Sequence, residues 1–101
     1  MQIRWSWHMN DLSGFQRDLL YVISGFDQPS GQDVKSELEQ YVDGEINHGR
    51  LYPNLDTLVN KEYVEKGPLD RRTNYYAITE KGREALRERR GWEDQYTAIE
   101  A

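Results

Sequence analysis

From Leu12 onward the apolar positions recur every three or four residues: Leu12, Phe15, Leu19, Val22, Ile23 and Phe26 fall along one stripe of a helix. Ser13, with Gln16 three positions later, is the pattern of a capping box, so a first helix is predicted to begin there. The run Asp27-Gln28-Pro29-Ser30-Gly31 carries turn chemistry at nearly every position. Val34, Leu38 and Tyr41 then resume the helical step as far as Asp43-Gly44, which predicts a short second helix with an acidic outer face. Leu51, Leu55, Leu58 and Val59 mark a third. Pro53 lacks an N–H and fits without loss only in a first turn, so this helix is expected to start near Gly49 or Arg50, or else to bend.

After Lys61 the period changes. Tyr63 to Lys66, Gly67 to Asp70 and Arg71 to Ile78 read as strand, turn and strand, with Tyr76 and Ile78 on one face and Tyr75 and Ala77 on the other. Thr79 is the expected cap of a last helix of about twenty residues, on the order of 30 Å long. Ala85, Leu86, Arg89, Trp92, Tyr96 and Ile99 align along its side, interrupted only by Gly91. The predicted fold class is mainly α with a small β-hairpin (α+β). Three helices followed by a hairpin is the order of a winged helix-turn-helix, whose third helix enters the major groove while the hairpin contacts the flanking backbone.

Composition narrows the functions open to such a chain. Its 101 residues are 37% hydrophobic, 31% charged and 12% aromatic, which suits one compact domain and is too moderate in charge for wholesale disorder. Folding at this length buries roughly two-thirds of the extended surface, enough for a modest core but not for a deep enclosed cavity. The chain has no cysteine, so disulfides, thiolate nucleophiles and cysteine-based zinc sites are excluded. It has no Gly-rich phosphate loop, no G-x-S-x-G elbow and no H-E-x-x-H motif, and an enzyme is not expected. His8 and His48 lack a third ligand at useful spacing, so neither a metal nor another cofactor is expected. No run approaches the roughly 18 apolar residues of a membrane span, and the opening MQIRWSWHMN lacks the apolar core of a signal peptide. A soluble, cytoplasmic protein is expected.

A formal net charge of −5 argues against binding nucleic acid by global attraction, so the distribution of charge matters more than its sum. Residues 1–46 carry three cations against eight carboxylates, and residues 47–82 carry six against five. Any nucleic-acid surface should lie in the second of these. The remaining segment alternates in sign, as solvated helix faces do.

The segment GRLYPNLDTLVNKEYVEKG, followed by DRRTNYYAITEKGREAL, resembles the PadR family of winged-helix transcription regulators, particularly the acidic versions of salt-loving archaea. The resemblance runs from about Leu12 to Arg90. Its most specific part is Leu51-Tyr52-Pro53 with Leu55 and Leu58, joined to Tyr75-Tyr76-Ala77-Ile78-Thr79 and then Gly82. It implies an N-terminal extension over 1–11, a winged helix-turn-helix over 12–79, and a C-terminal dimerisation helix over 80–101. The recognition helix would span about 49–61 and the wing 64–78. It further implies a homodimer on a roughly palindromic double-stranded DNA operator, a repressor's role, and a small-molecule effector near the dimer seam. The family usually has a glycine where this chain has Glu62, so the recognition helix must end differently or Glu62 must accept a strained conformation. The chain is also shorter than many relatives and resembles the compact branch, which dimerises through the terminal helix; Trp5 and Trp7 are expected to help. Four lysines against nine arginines agree with a salt-rich cytoplasm, where counterion release is nearly exhausted and base contacts and shape must carry more of the binding.

On that frame, Arg71 and Arg72, which on an arbitrary hairpin would be a solvated turn, favour phosphate contact or minor-groove insertion. Asn47, His48 and Arg50 open the third helix, where Asn commonly caps and where side chains reach base edges first. Asn54 and Thr57 fall off the leucine stripe and suit hydrogen bonds to bases or phosphates. Tyr52 is expected to pack its ring under the wing with its hydroxyl toward phosphate. Asn74 and Tyr75 point opposite ways, and Asn74 is the one expected to face the duplex. Leu86, Arg89, Trp92, Tyr96 and Ile99 are the candidate dimer interface. A rival reading is a winged-helix protein–protein interaction module without autonomous operator binding, kept open by the near-neutral presumed DNA face.

Overall fold

The computed structural model describes residues 11–97. Ile99, Trp5, Trp7 and His8, singled out above, lie outside the described residues. The elements run α1 (Gly14–Ser24), α2 (Gly31–Val42), α3 (His48–Asn60), β1 (Val64–Pro68), β2 (Asn74–Ile78) and α4 (Glu80–Asp94). This is the winged-helix α+β arrangement, mostly helical with one antiparallel hairpin. No helix among the described residues is long and apolar enough to cross a membrane.

Each helix starts where a side chain can accept an orphan N–H. Ser13 and Ser30 form capping boxes with Gln16 and Asp33, Asn47 accepts from the Arg50 N–H, and Thr79 accepts from the Gly82 N–H. Because Asn47 is the cap, α3 begins at His48, one residue before the expected Gly49, and Pro53 falls in its second turn. Its missing N–H leaves the Gly49 carbonyl without the usual intrahelical donor, at an exposed position where water can serve. The end of α3 resolves the Glu62 question. Glu62 adopts φ 68, its N–H donates to the Val59 carbonyl (2.9 Å), and the Tyr63 N–H donates to the Leu58 carbonyl (3.0 Å). That is a Schellman motif with glutamate in the left-handed position, closed by Tyr63 and Leu58, both buried.

Leu19, Leu20 and Ile23 of α1 meet Val34 and Leu38 of α2 and Leu51, Leu55 and Leu58 of α3; Val64, Tyr76, Ala85 and Leu86 extend the same core. Each fully buried leucine contributes about 1.5–3 kcal/mol. Two expected core positions do not belong to it. Phe26 is exposed because α1 ends at Ser24, and Tyr41 is exposed because the last turn of α2 runs beyond the packed elements.

Val64 pairs with Ile78 and Pro68 with Asn74, so Gly67 and Pro68 belong to β1 and the tip is residues 69–73, not the earlier turn expected. Tyr63 is buried ahead of the strand instead of opening it. The hairpin is fastened to the α1–α2 turn: the Tyr76 N–H donates to the Pro29 carbonyl (2.8 Å), and Ser30 bridges to Tyr75. The last helix is shorter than expected. It ends at Asp94, after which the Gln95 and Tyr96 N–H groups donate to the carbonyls three residues back and both the N–H and the hydroxyl of Thr97 donate to the Glu93 carbonyl, closing the last turn.

Candidate nucleic-acid interface

Helix α3 turns its leucines inward and divides the rest of its surface into a crest and two flanks. Gly49, Pro53 and Asn60 lie on the crest, opposite Leu51, Leu55 and Leu58, and all three are exposed. One flank faces α1. There the Arg50 guanidinium lies 3.9 Å from the centroid of the Phe15 ring, and Gln16 Nε2 donates to Asn54 Oδ1 (2.8 Å). Asn54 Nδ2 in turn donates to the Arg50 carbonyl (2.7 Å). Lower on the same flank Lys61 pairs with Asp11 at 3.2 Å.

The other flank faces the hairpin. A groove of about 330 Å³ opens there between the start of α2, α3 and the hairpin, and Gln32, Tyr52, Asp56, Lys66, Arg72 and Asn74 are among its lining residues. The Tyr52 ring lies against Gly31 at the first turn of α2 and meets the His48 ring edge-on, centroids 5.6 Å apart. Lys66 reaches Asp56 at 3.4 Å. This exposed pair contributes little stability, but it halves the positive charge that the groove offers.

At the hairpin tip Asp70 is structural. Its carboxylate accepts the Arg72 N–H (3.0 Å), while the Leu69 and Asp70 N–H groups donate to the Thr73 carbonyl (2.7 and 3.1 Å). The Arg72 N–H, followed by Thr73, holds the Asp70 carboxyl below its usual range. Arg71 and Arg72 are therefore carried outward on a turn that Asp70 closes.

The structure thus gathers Tyr52, Arg72 and Asn74 at one groove and places His48 and Arg50 at the adjoining end of α3. Asn47 is committed to capping, Asn54 to the Gln16 and Arg50 bonds, and the Thr57 hydroxyl to the Pro53 carbonyl (3.1 Å). Arg71 stands exposed at the tip, outside the groove lining. On α4, Leu86 is buried within the chain itself, so the exposed apolar part of the stripe is Trp92 and Tyr96, with the Arg89 guanidinium 4.7 Å from the Trp92 ring. A second cleft of about 270 Å³ between α1 and α4 is lined by Tyr21, Ser24, Arg83, Leu86, Arg87 and Arg90. No group of three or more His, Asp or Glu among the described residues is placed to hold a metal ion.

Residues 19–88 match the transcriptional regulator PadR-like family. The chain belongs to that family. PadR-like proteins are transcription regulators, not enzymes. Among solved structures, RosR of Halobacterium salinarum is 46% identical with a TM-score of 0.84 over 92% of this chain and 84% of that one. A complex structure of RosR gives 46% identity and a TM-score of 0.83 over 90% and 80%. FabT of Streptococcus pneumoniae, in complex with DNA, is 24% identical with a TM-score of 0.67 over 84% of this chain and 57% of that one, a likeness of fold. No curated protein matches the chain.

For this PadR-like chain, sequence reading missed Gln32, Lys66 and Asn60, and took Gln16 only for a cap. Lys66 sat inside an apparent strand, and nothing local marks Gln32 as neighbouring a tyrosine twenty residues on. The alternation of the hairpin did carry a usable signal for Lys66, since it pairs with Tyr76 across the ladder.

Proposed function

We propose that this chain is a sequence-specific double-stranded DNA-binding regulator that acts as a homodimer, with α3 of each protomer in a major groove and the hairpin on the adjacent backbone. The observation that carries the reading is the arrangement of α3. Its crest is built from Gly49, Pro53 and Asn60, small or flat enough for close approach, and it is flanked by Arg50 on one side and by the Tyr52, Lys66, Arg72 and Asn74 groove on the other. Arg50 and His48 lie at the helix start, from which base edges are reached first. Family membership supports a regulator's role, and the resemblance to acidic PadR proteins supports repression.

The dimer rests on the exposed Trp92 and Tyr96 at the end of α4, 50% and 69% accessible, which a second copy would cover. The cleft between α1 and α4, lined by Tyr21, Leu86 and Arg90, is the candidate seat of an effector, and a DNA-binding role is in keeping with a cytoplasmic protein. A second reading, a protein-interaction module, draws on Asp56, which sets a carboxylate on the groove.

Selection of bound duplexes from a random pool, at low and at molar salt, tests the proposal. Enrichment of one inverted repeat with half-sites about one helical turn apart, lost on combined replacement of Arg50, Arg71 and Arg72 by alanine, is the expected result. No enrichment at either salt overturns it in favour of the second reading.

A further inference from the structure

We infer that Phe15 is a positioning residue for base reading: its ring face holds the Arg50 guanidinium in place, so that Arg50 presents a prepared fork to a guanine. The inference rests on the DNA-binding reading above and adds a residue of α1 to it.

Arg50 is held from both ends, by consecutive residues of α1. Its guanidinium carbon stands 3.9 Å from the Phe15 ring centroid, and its carbonyl accepts from Asn54, whose own oxygen is held by Gln16. Phe15 is itself steadied, half-buried against the core one residue before Gln16, which closes the capping box with Ser13. Among the described residues no carboxylate forms an ion pair with Arg50. What it has instead is an aromatic face.

The chemistry of that contact bears on recognition. An aromatic ring offers the guanidinium no conventional hydrogen-bond acceptor, so N–H donors remain for the O6 and N7 acceptors of guanine. A free arginine would have to lose rotamer freedom on docking; one already stacked has lost much of it in the unbound protein. A lysine or an unstacked arginine at this place would keep the charge and lose the aim. In a protein of net charge −5, whose body repels polyanions, an aimed contact is worth more than a diffuse one.

The test uses the full chain and the duplex obtained by selection, with each base pair of a half-site replaced in turn. In the wild type, one position should prefer guanine on the order of tenfold, and Arg50→Ala should abolish that preference. Phe15→Leu should reduce it several-fold at the same position alone, leaving the salt dependence and thermal midpoint near wild type, and Phe15→Tyr should restore it. Phe15→Leu added to Arg50→Ala should change nothing further. If Phe15→Leu proves unstable, Phe15→Met fills the space without a ring face and takes its place.

Unchanged preference in Phe15→Leu, or an equal loss at every position, overturns the inference while leaving the DNA reading intact. So does indifference of every position to Arg50→Ala. A wild type with no base preference anywhere overturns the DNA reading and this inference with it.

Discussion

The ring of Tyr52 occupies the place where a Cβ on Gly31 would stand, with its Cε1 2.7 Å and its hydroxyl oxygen 2.9 Å from that position. Helices α2 and α3 approach closely at this point because one of them has no side chain there. Gly31→Ala should leave stability within about 1 kcal/mol, since the alanine's helix preference offsets the displaced ring. It should nevertheless push Tyr52 out of its seat beside the groove. The Tyr52 ring resonances should move and the Kd for the selected duplex should rise, while Gly91→Ala, with open space around it, should alter neither.

Glu62 is held at φ 68, where an L side chain costs about 1–2 kcal/mol and glycine does not. Part of that gain is returned through the greater freedom of glycine in the unfolded chain. Glu62→Gly should therefore stabilise the fold by about 0.5–1 kcal/mol, seen as a later denaturant midpoint with an unchanged slope. Glu62→Ala should give no such gain.

The link between α2 and α3 depends on one carboxylate. Glu39 Oε2 accepts the Ile46 N–H (2.7 Å) and pairs with Lys35 (2.9 Å), and these two, the backbone donor first, hold its pKa below the ordinary 4.5. A depressed carboxyl contributes stability that is present above its unfolded value and lost as pH falls through its folded one. As pH falls below the ordinary 4.5 the urea midpoint of the wild type should therefore fall more steeply than that of Glu39→Gln, and the two curves should run parallel well above it.

The hairpin tip is read through salt. Each phosphate contact removed should lower the slope of log K against log salt by about 1, so Arg71→Ala and Arg72→Ala should each do so and reduce affinity evenly across sequences. Arg50→Ala should instead change which sequence is preferred. Titration of the selected and a scrambled duplex over a range of salt separates the two behaviours; a tip variant that altered base preference would remove the wing from the role of backbone clamp.

Ser13, Asn47 and Thr79 marked helix starts in the sequence because a cap acts on N–H groups only two or three residues away, whereas Ser30, which caps α2, was legible only as part of a turn. The leucine periods and the alternation of Tyr75 to Ile78 were legible for the same reason, while the resemblance left two ways for α3 to end at Glu62 and the structure takes the left-handed one. These are short-range conditions, and the order of four helices and a hairpin follows from them. Pro53 was expected in the first turn of α3, but the Asn47 cap sets it in the second, where the exposed Gly49 carbonyl it leaves without a donor can turn to water. The fate of the polar side chains was decided by packing. Asn54 and Arg50 share the same helix surface as any base-reading pair, yet one is consumed by Gln16, 38 residues away, and the other is laid on Phe15. Likewise the pairing of Pro29 with Tyr76, which seats the hairpin beside α3, joins segments whose separate patterns say nothing of each other. A hydrogen bond or a ring face can be claimed only once by a neighbour, and which neighbour arrives is settled when α1, α3 and the hairpin close on a common core.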